Sequence, residues 1–212
     1  MIHPILRLII FPIERLWLRK VYGLENAPKD KPFILVSNHA SYYDALLLPS
    51  ILIPFLNRRF HPLVNSLYWN FSLTRFFVNC GRCIPVYIDR KSKKNNIKAM
   101  QIAKGFIRKK EIIQIYPEGT RSHDGKLGKA YHGAARLALE ARIPVLPAGL
   151  VGTSDILPRG KILPRLKRCE VKIGKLMHFD KYYGKSDKKT LETVTREIMI
   201  QIGKLIGQKY RY

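Results

Sequence analysis

Short apolar runs alternate with longer stretches of helical period along most of the chain. After the turn signal Asn26-Ala27-Pro28, the continuous run Phe33-Ile34-Leu35-Val36 predicts a buried strand, and Ile84–Ile88, Ile112–Tyr116, Val145–Leu150 and Glu170–Ile173 repeat that signal. Between and beyond them, Tyr42–Leu52, Ile97–Arg108, Gly133–Ala141 and Leu191–Ile206 carry apolar residues at helical spacing and predict helices. This alternation predicts a single α/β domain, with a mixed, largely parallel sheet flanked by helices and functional residues on the connecting loops. The stretch Gly152–Arg168, rich in Gly, Pro and basic residues, reads as a long surface loop.

The start of the chain follows a different pattern. Met1–Lys20 is rich in Ile, Leu, Phe and Trp, but Arg7, Glu14, Arg15 and Arg19 interrupt it. A spanning helix needs about 20 predominantly apolar residues, and charges inside that length disfavour one. Apolar residues and a tryptophan beside arginines suit an amphipathic helix lying in a membrane interface. The expected organisation is therefore an interface helix over residues 1–22 and a catalytic or binding domain over 23–212. The alternative is an amphipathic helix packed on the domain.

With 212 residues the chain fits one domain with a real core. Its 39 Lys and Arg against 15 Asp and Glu give a net charge of +24, which points to an anionic partner: nucleic acid, an anionic membrane surface, or an acidic substrate or carrier. No zinc-finger, RNP-like or helix-turn-helix signature supports nucleic acid. Three cysteines are too few for a disulfide framework, which favours a reducing compartment, and Cys80-Gly81-Arg82-Cys83 reads as a turn before a strand, with no metal site expected.

Two loops carry chemistry. Ser37-Asn38-His39-Ala40-Ser41-Tyr42-Tyr43-Asp44 leaves the first core strand, and a loop-to-helix bend would bring the Asp44 carboxylate to the His39 imidazole. A carboxylate on Nδ1 fixes the tautomer that leaves Nε2 free as a base. No Gly-x-Ser-x-Gly elbow supplies a protein nucleophile, so the pair is suited to activating a substrate hydroxyl directly. Ile115-Tyr116-Pro117-Glu118-Gly119-Thr120-Arg121-Ser122 follows another strand. Its proline and glycine force a tight turn, and Arg121 offers a planar fork suited to phosphate. Glu118 is expected to accept hydrogen bonds from a substrate hydroxyl, or to hold the loop through a nearby basic residue. Arg90, just after Val86-Tyr87-Ile88-Asp89, is either a further phosphate contact or the first residue of a solvated basic run. Ile143-Pro144-Val145-Leu146-Pro147 forms either an apolar wall beside the site or a core strand.

Taken together, these stretches resemble the glycerolipid acyltransferase family, the 1-acyl-sn-glycerol-3-phosphate (lysophosphatidic acid) acyltransferases. The family's four motifs occur in order between about residues 30 and 150: Asn38-His39 to Asp44, Gly81 to Arg90, Tyr116 to Ser122, and Ile143 to Pro147. The resemblance implies that His39, oriented by Asp44, deprotonates a lysophospholipid hydroxyl. That hydroxyl attacks the thioester of acyl carrier protein or acyl-coenzyme A, giving phosphatidic acid without an acyl-enzyme and with no cofactor beyond the donor. It also implies that Arg90, Glu118, Gly119 and Arg121 bind the glycerol phosphate, with Asn38 and Thr120 among the substrate-binding residues, and that Pro144, Val145, Leu146 and Pro147 line the acyl site. Tyr116 stands where the family often has Phe. Where it commonly has Phe-Lys-Lys-Gly this chain has Ala130-Tyr131-His132-Gly133, leaving Lys129 and His132 as substitutes in phosphate binding.

The implied partners are a lysophospholipid, acyl carrier protein or a coenzyme A thioester, and an anionic membrane surface, with no nucleic acid. The implied location is peripheral or monotopic on the cytoplasmic face of a membrane. Alternatives are an acyltransferase acting on glycerol 3-phosphate or another lysolipid and, in a different class, a basic membrane- or nucleic-acid-binding module without catalysis.

Overall fold

The structure, a computed structural model, describes residues 11–87, 93–158, 160–161 and 163–212. Among them seven strands form one sheet: β1 (Leu18–Tyr22), β2 (Ile34–Ser37), β3 (Phe60–Asn65), β4 (Ile84–Val86), β5 (Ile112–Ile115), β6 (Val145–Val151) and β7 (Cys169–Ile173), in the order β1-β7-β6-β2-β5-β3-β4. Neighbours are parallel except β6 and β7, so the sheet is mixed and largely parallel, as expected. Seven helices accompany it: α1 (Phe11–Glu14), α2 (Asp44–Leu56), α3 (Ser72–Cys80), α4 (Lys93–Arg108), α5 (Gly133–Ala141), α6 (Thr153–Ile156) and α7 (Lys188–Ile206).

The central strands are apolar on both faces because helices cover both. In β2, Ile34 and Val36 join the layer under α5 and α7, while Leu35 joins the layer under α2. β6 repeats this, with Val145 in the first layer and Leu146, Ala148 and Leu150 in the second. Helix α2 follows the same logic at helical scale and is buried nearly all round. Helix α7 starts on the side chain of Asp187, which accepts the Thr190 N–H, and stops at Gly207, whose φ of 72° is left-handed.

Four elements depart from expectation. Residues 18–22 do not continue a helix; they leave the turn at Arg15–Trp17 and pair in parallel with β7, covering its edge. The expected interface helix over 1–22 therefore ends before β1, and its residues 1–10 lie outside the described residues. Phe11, in α1, is buried in the layer with α2, so this part of the segment packs on the domain. Strand β3 was hidden by Pro62, which sits where the strand changes partner: Phe60–Pro62 pair with β5, Leu63–Asn65 with β4. Helix α3 was missed because its apolar residues do not face the core; Val78 is its one buried residue. The expected loop Gly152–Arg168 contains the short helix α6. No helix among the described residues is long and apolar enough to cross a membrane.

Parallel neighbours open at the same end. The loops after β2 and β5 consequently emerge side by side, at the carboxyl ends of adjacent strands, where open α/β sheets bind ligands.

Candidate active site

His39 follows β2 by two residues, and Asp44 opens α2. The bend between them sets Asp44 Oδ2 2.9 Å from His39 Nδ1. The same oxygen accepts the N–H groups of Ala40 at 2.7 Å and Ser41 at 2.8 Å, so the loop is wound around one carboxylate oxygen. Asp44 is fully buried, while the His39 side chain keeps 17% of its surface exposed. With Nδ1–H donated to the carboxylate, Nε2 is the nitrogen left with a lone pair.

The loop after β5 holds this histidine from three sides. Glu118 Oε1 accepts the His39 N–H at 3.0 Å, and the Ser122 N–H donates to the His39 carbonyl at 2.8 Å. The Tyr116 ring stacks on the imidazole at a centroid distance of 4.0 Å and an interplanar angle of 16°. Its hydroxyl donates to the Asp44 carbonyl at 2.9 Å and accepts from Gln114 Nε2 at 2.6 Å. Burial, with the Asp44 carboxylate nearby, holds the phenol far above its ordinary pKa, so Tyr116 stays a neutral donor. Tyr116 and Gln114 are positioning residues that motif reading missed. The available signal was one polar side chain inside the apolar run Ile112-Ile113-Gln114-Ile115.

Glu118 is 4% exposed, and both its oxygens are taken by backbone: Oε1 by His39 and Oε2 by the Gly128 N–H at 2.8 Å. It holds the loops together through backbone amides and not through a basic side chain. Burial pushes its carboxyl up to about 7, helped by Asp44 and opposed by the two N–H bonds. The unfolded chain releases this proton near 4.5 and the folded one near 7, so this group's contribution to stability falls as pH rises through that window. In Glu118→Gln the side-chain amide must meet one backbone N–H with its own N–H. Denaturant unfolding should therefore show wild type more stable at pH 4.5, with the gap narrowing by a few kcal/mol toward pH 7 and above. A gap constant across that range would contradict the assignment.

Asn38 is likewise spent on backbone. Its amide nitrogen donates to the Leu150 carbonyl at 2.9 Å and its oxygen accepts the Leu150 N–H at 2.8 Å, which makes it a clamp between β2 and β6. Val145 and Leu146 are fully buried in the two core layers, Pro147 is buried too, and Pro144 is half-buried at the start of the strand. Val145, Leu146 and Pro147 belong to the core strand β6, and Pro144 directly precedes it.

The phosphate candidates divide. Arg121 is half-buried with its guanidinium 3.4 Å from the centroid of the Tyr42 ring, joining the two loops beside His39. Gly119, at φ 67°, closes the turn onto the Tyr116 carbonyl and lies under the Tyr131 ring; Thr120 is exposed. Lys129 is exposed beside Gly128. His132 points elsewhere, with Nδ1 3.0 Å from Thr195 Oγ1 on α7. Arg90 lies outside the described residues.

A polar hollow of about 220 Å³ lies beside the His39 loop, against Asn38, Ala40, Gly125 and Leu150. A depression of about 340 Å³ sits at the opposite end of the sheet, where Arg58 donates to the carbonyls of Lys110, Pro28 and Lys31 and is a loop tie. Cys83 stands in the turn between α3 and β4, and burial pushes its thiol up to about 12, which suits a packed turn and not a reactive pair.

Known proteins are similar to this chain in sequence and in fold. The chain is similar to the 1-acyl-sn-glycerol-3-phosphate acyltransferase alpha of Ovis aries, 29% identical over 80% of this chain and 58% of that protein. It is also similar to a 1-acyl-sn-glycerol-3-phosphate acyltransferase of Pseudomonas aeruginosa, 35% identical over 60% of this chain and 47% of that protein. The chain thus spans roughly half the length of these relatives. The crystal structure of the 1-acyl-sn-glycerophosphate acyltransferase PlsC from Thermotoga maritima has the same fold, with a TM-score of 0.64, 20% identity, and coverage of 92% of this chain and 80% of that one. The family described as Acyltransferase matches residues 18–151, from β1 through β6 and so across both loops that meet at His39: the chain belongs to that family.

Proposed function

We propose that this chain transfers an acyl group from a thioester of acyl carrier protein or coenzyme A to the free hydroxyl of 1-acyl-sn-glycerol 3-phosphate, forming phosphatidic acid. The observation that carries the proposal is the Asp44–His39 pair at 2.9 Å, built by one loop and clamped by the next, with a partly exposed imidazole. The names of the relatives support the acceptor.

His39 Nε2 takes the acceptor's hydroxyl proton as its oxygen attacks the thioester carbonyl. The imidazolium so formed is stabilised by the Asp44 carboxylate. Collapse of the tetrahedral intermediate expels the thiolate, which takes the proton back from His39, so the ester, the free thiol and the neutral imidazole are restored together. No bond from the protein to the acyl group is needed.

Arg121 supplies the anion site, held at the mouth by Tyr42. Arg121→Ala is expected to raise KM for 1-acyl-glycerol 3-phosphate about 10- to 100-fold, the size of one lost charged hydrogen-bond pair. Monoacylglycerol, which has no phosphate, should lose little as acceptor. Equal losses on both acceptors would remove Arg121 from phosphate binding, and no transfer to either from either donor would overturn the proposed reaction.

The reading places the chain peripherally on the cytoplasmic face of a membrane, where lysophosphatidate resides. Ile13 and Leu16 remain exposed beside Arg15 and Arg19, while Trp17 is held by its Nε1–H on the Arg165 carbonyl. This short basic and apolar surface supports interfacial contact by the N-terminal segment.

A further inference from the structure

Helix α3 is amphipathic the wrong way round for a helix packed on its own domain. Leu67, Phe71, Leu73, Phe76 and Phe77 are 50% to 70% exposed within eleven residues, on α3, its N-cap Phe71 and the 3-10 turn (Ser66–Trp69) before it. Scattered exposed apolar side chains are ordinary on a protein surface; five such large ones in one short segment are not.

The segment is built to hold this display. Thr74 Oγ1 donates to the Tyr68 and Phe71 carbonyls, Arg75 Nε to the Trp69 carbonyl at 2.8 Å, and Trp69 Nε1 to Asn79 Oδ1 at 3.0 Å. Backbone and polar groups are tied to one another, so the apolar side chains are presented in advance and ordering adds little cost on contact.

Its surroundings name the occupant. Residues 45–88 contain no Asp or Glu, and Arg75 and Arg82 are exposed on or next to α3. The turn begins where β3 ends at Asn65, whose register partner is Val86 at the end of β4, and α4 starts beyond β4 with Lys94, Ile97 and Lys98 exposed. Because β3 and β4 run parallel to β2 and β5, this basic and apolar rim emerges at the same end of the sheet as His39 and Arg121. Exposed apolar side chains beside these cations match an anionic bilayer, whose head groups attract the rim while its acyl region receives the side chains.

We infer that the turn Ser66–Trp69 and helix α3 form a membrane-inserting surface, separate from the N-terminal segment, that seats the mouth of the active site on an anionic bilayer. The inference deepens the proposed function and rests on it for the presence of a lipid substrate, but its test needs no turnover.

Trp17 and Trp69 are the two tryptophans of the chain, so in Trp17→Phe residue 69 reports alone from the segment itself. The probe is a vesicle of phosphatidylcholine and phosphatidylglycerol in equal amounts with brominated acyl chains. Trp69 fluorescence should be quenched on vesicle binding, and raised salt should weaken binding. The combined variant Phe71→Ser, Leu73→Ser, Phe76→Ser and Phe77→Ser changes only exposed side chains. It should co-sediment with vesicles at least tenfold less than wild type while melting at the same temperature and turning over a short-chain soluble lysolipid equally.

Unquenched Trp69 in a sedimenting chain, or wild-type sedimentation of the combined variant, would overturn the inference. If that variant also passed from dimer to monomer, the face would belong to a second copy; if it lost acyl carrier protein, to that acidic protein. A chain that binds through α3 but transfers no acyl group would overturn the proposed reaction and leave the surface standing.

Discussion

His39→Ala should lower turnover about 10³-fold, within the range for removing a positioned general base, while leaving vesicle binding unchanged. The structure concentrates four contacts on this one residue. Its backbone N–H is held by Glu118, its carbonyl by Ser122, its Nδ1 by Asp44 and one ring face by Tyr116. Nε2 is the ring nitrogen with no such duty. Because the imidazole contributes nothing to the sheet or to the exposed apolar surfaces, the folded state and its membrane contacts should survive its loss.

Asp44→Asn should lower kcat about 10²- to 10³-fold with little change in KM, and the cause differs from the one motif chemistry suggests. Two backbone N–H groups, from Ala40 and Ser41, converge on Oδ2 and require an oxygen there. The asparagine oxygen must take that place, so it still accepts the His39 Nδ1–H and the tautomer is kept. What disappears is the negative charge that stabilises the imidazolium in the transition state. The asparagine nitrogen falls at Oδ1, which is buried with no hydrogen-bond partner among the described residues, so a stability loss of about 1–3 kcal/mol should accompany the rate loss. Steady-state kinetics beside thermal unfolding separate the two effects. A KM increase at constant kcat would place Asp44 in substrate binding instead.

Sequence pattern reached those parts of the fold that are apolar for a simple reason. Helix α5 runs over Gly133–Ala141 as periodicity predicts, and β2, β5, β6 and β7 lie within a residue or two of the expected runs, because central strands covered on both faces leave an unbroken apolar trace. Elements serving other ends left no such trace. β3 carries His61 and Pro62 at its change of partner, and β1 is an edge strand with an exposed Arg19-Lys20 pair. A truncation of residues 1–20, an inviting test of the N-terminal segment, would therefore strip part of the sheet.

The His39–Asp44 contact was legible because spacing alone lets a carboxylate five residues on return to the imidazole at a helix start. The duties of Glu118 and Asn38 were not, since residue type cannot show that Glu118 meets a backbone N–H 79 positions away in sequence and Asn38 one 112 positions away. Both look polar and site-like in sequence. In the fold both are buried braces, and Arg121 is left as the described basic residue stacked at the mouth.

The most direct test sets wild type beside His39→Ala with a labelled acyl thioester, offered in turn on coenzyme A and on acyl carrier protein, and 1-acyl-glycerol 3-phosphate in vesicles. The expected result is labelled phosphatidic acid from wild type with at least one donor, about 10³-fold less from His39→Ala, and equal vesicle binding by both. Phosphatidic acid formed by His39→Ala at the wild-type rate would contradict direct activation of the acceptor hydroxyl by His39.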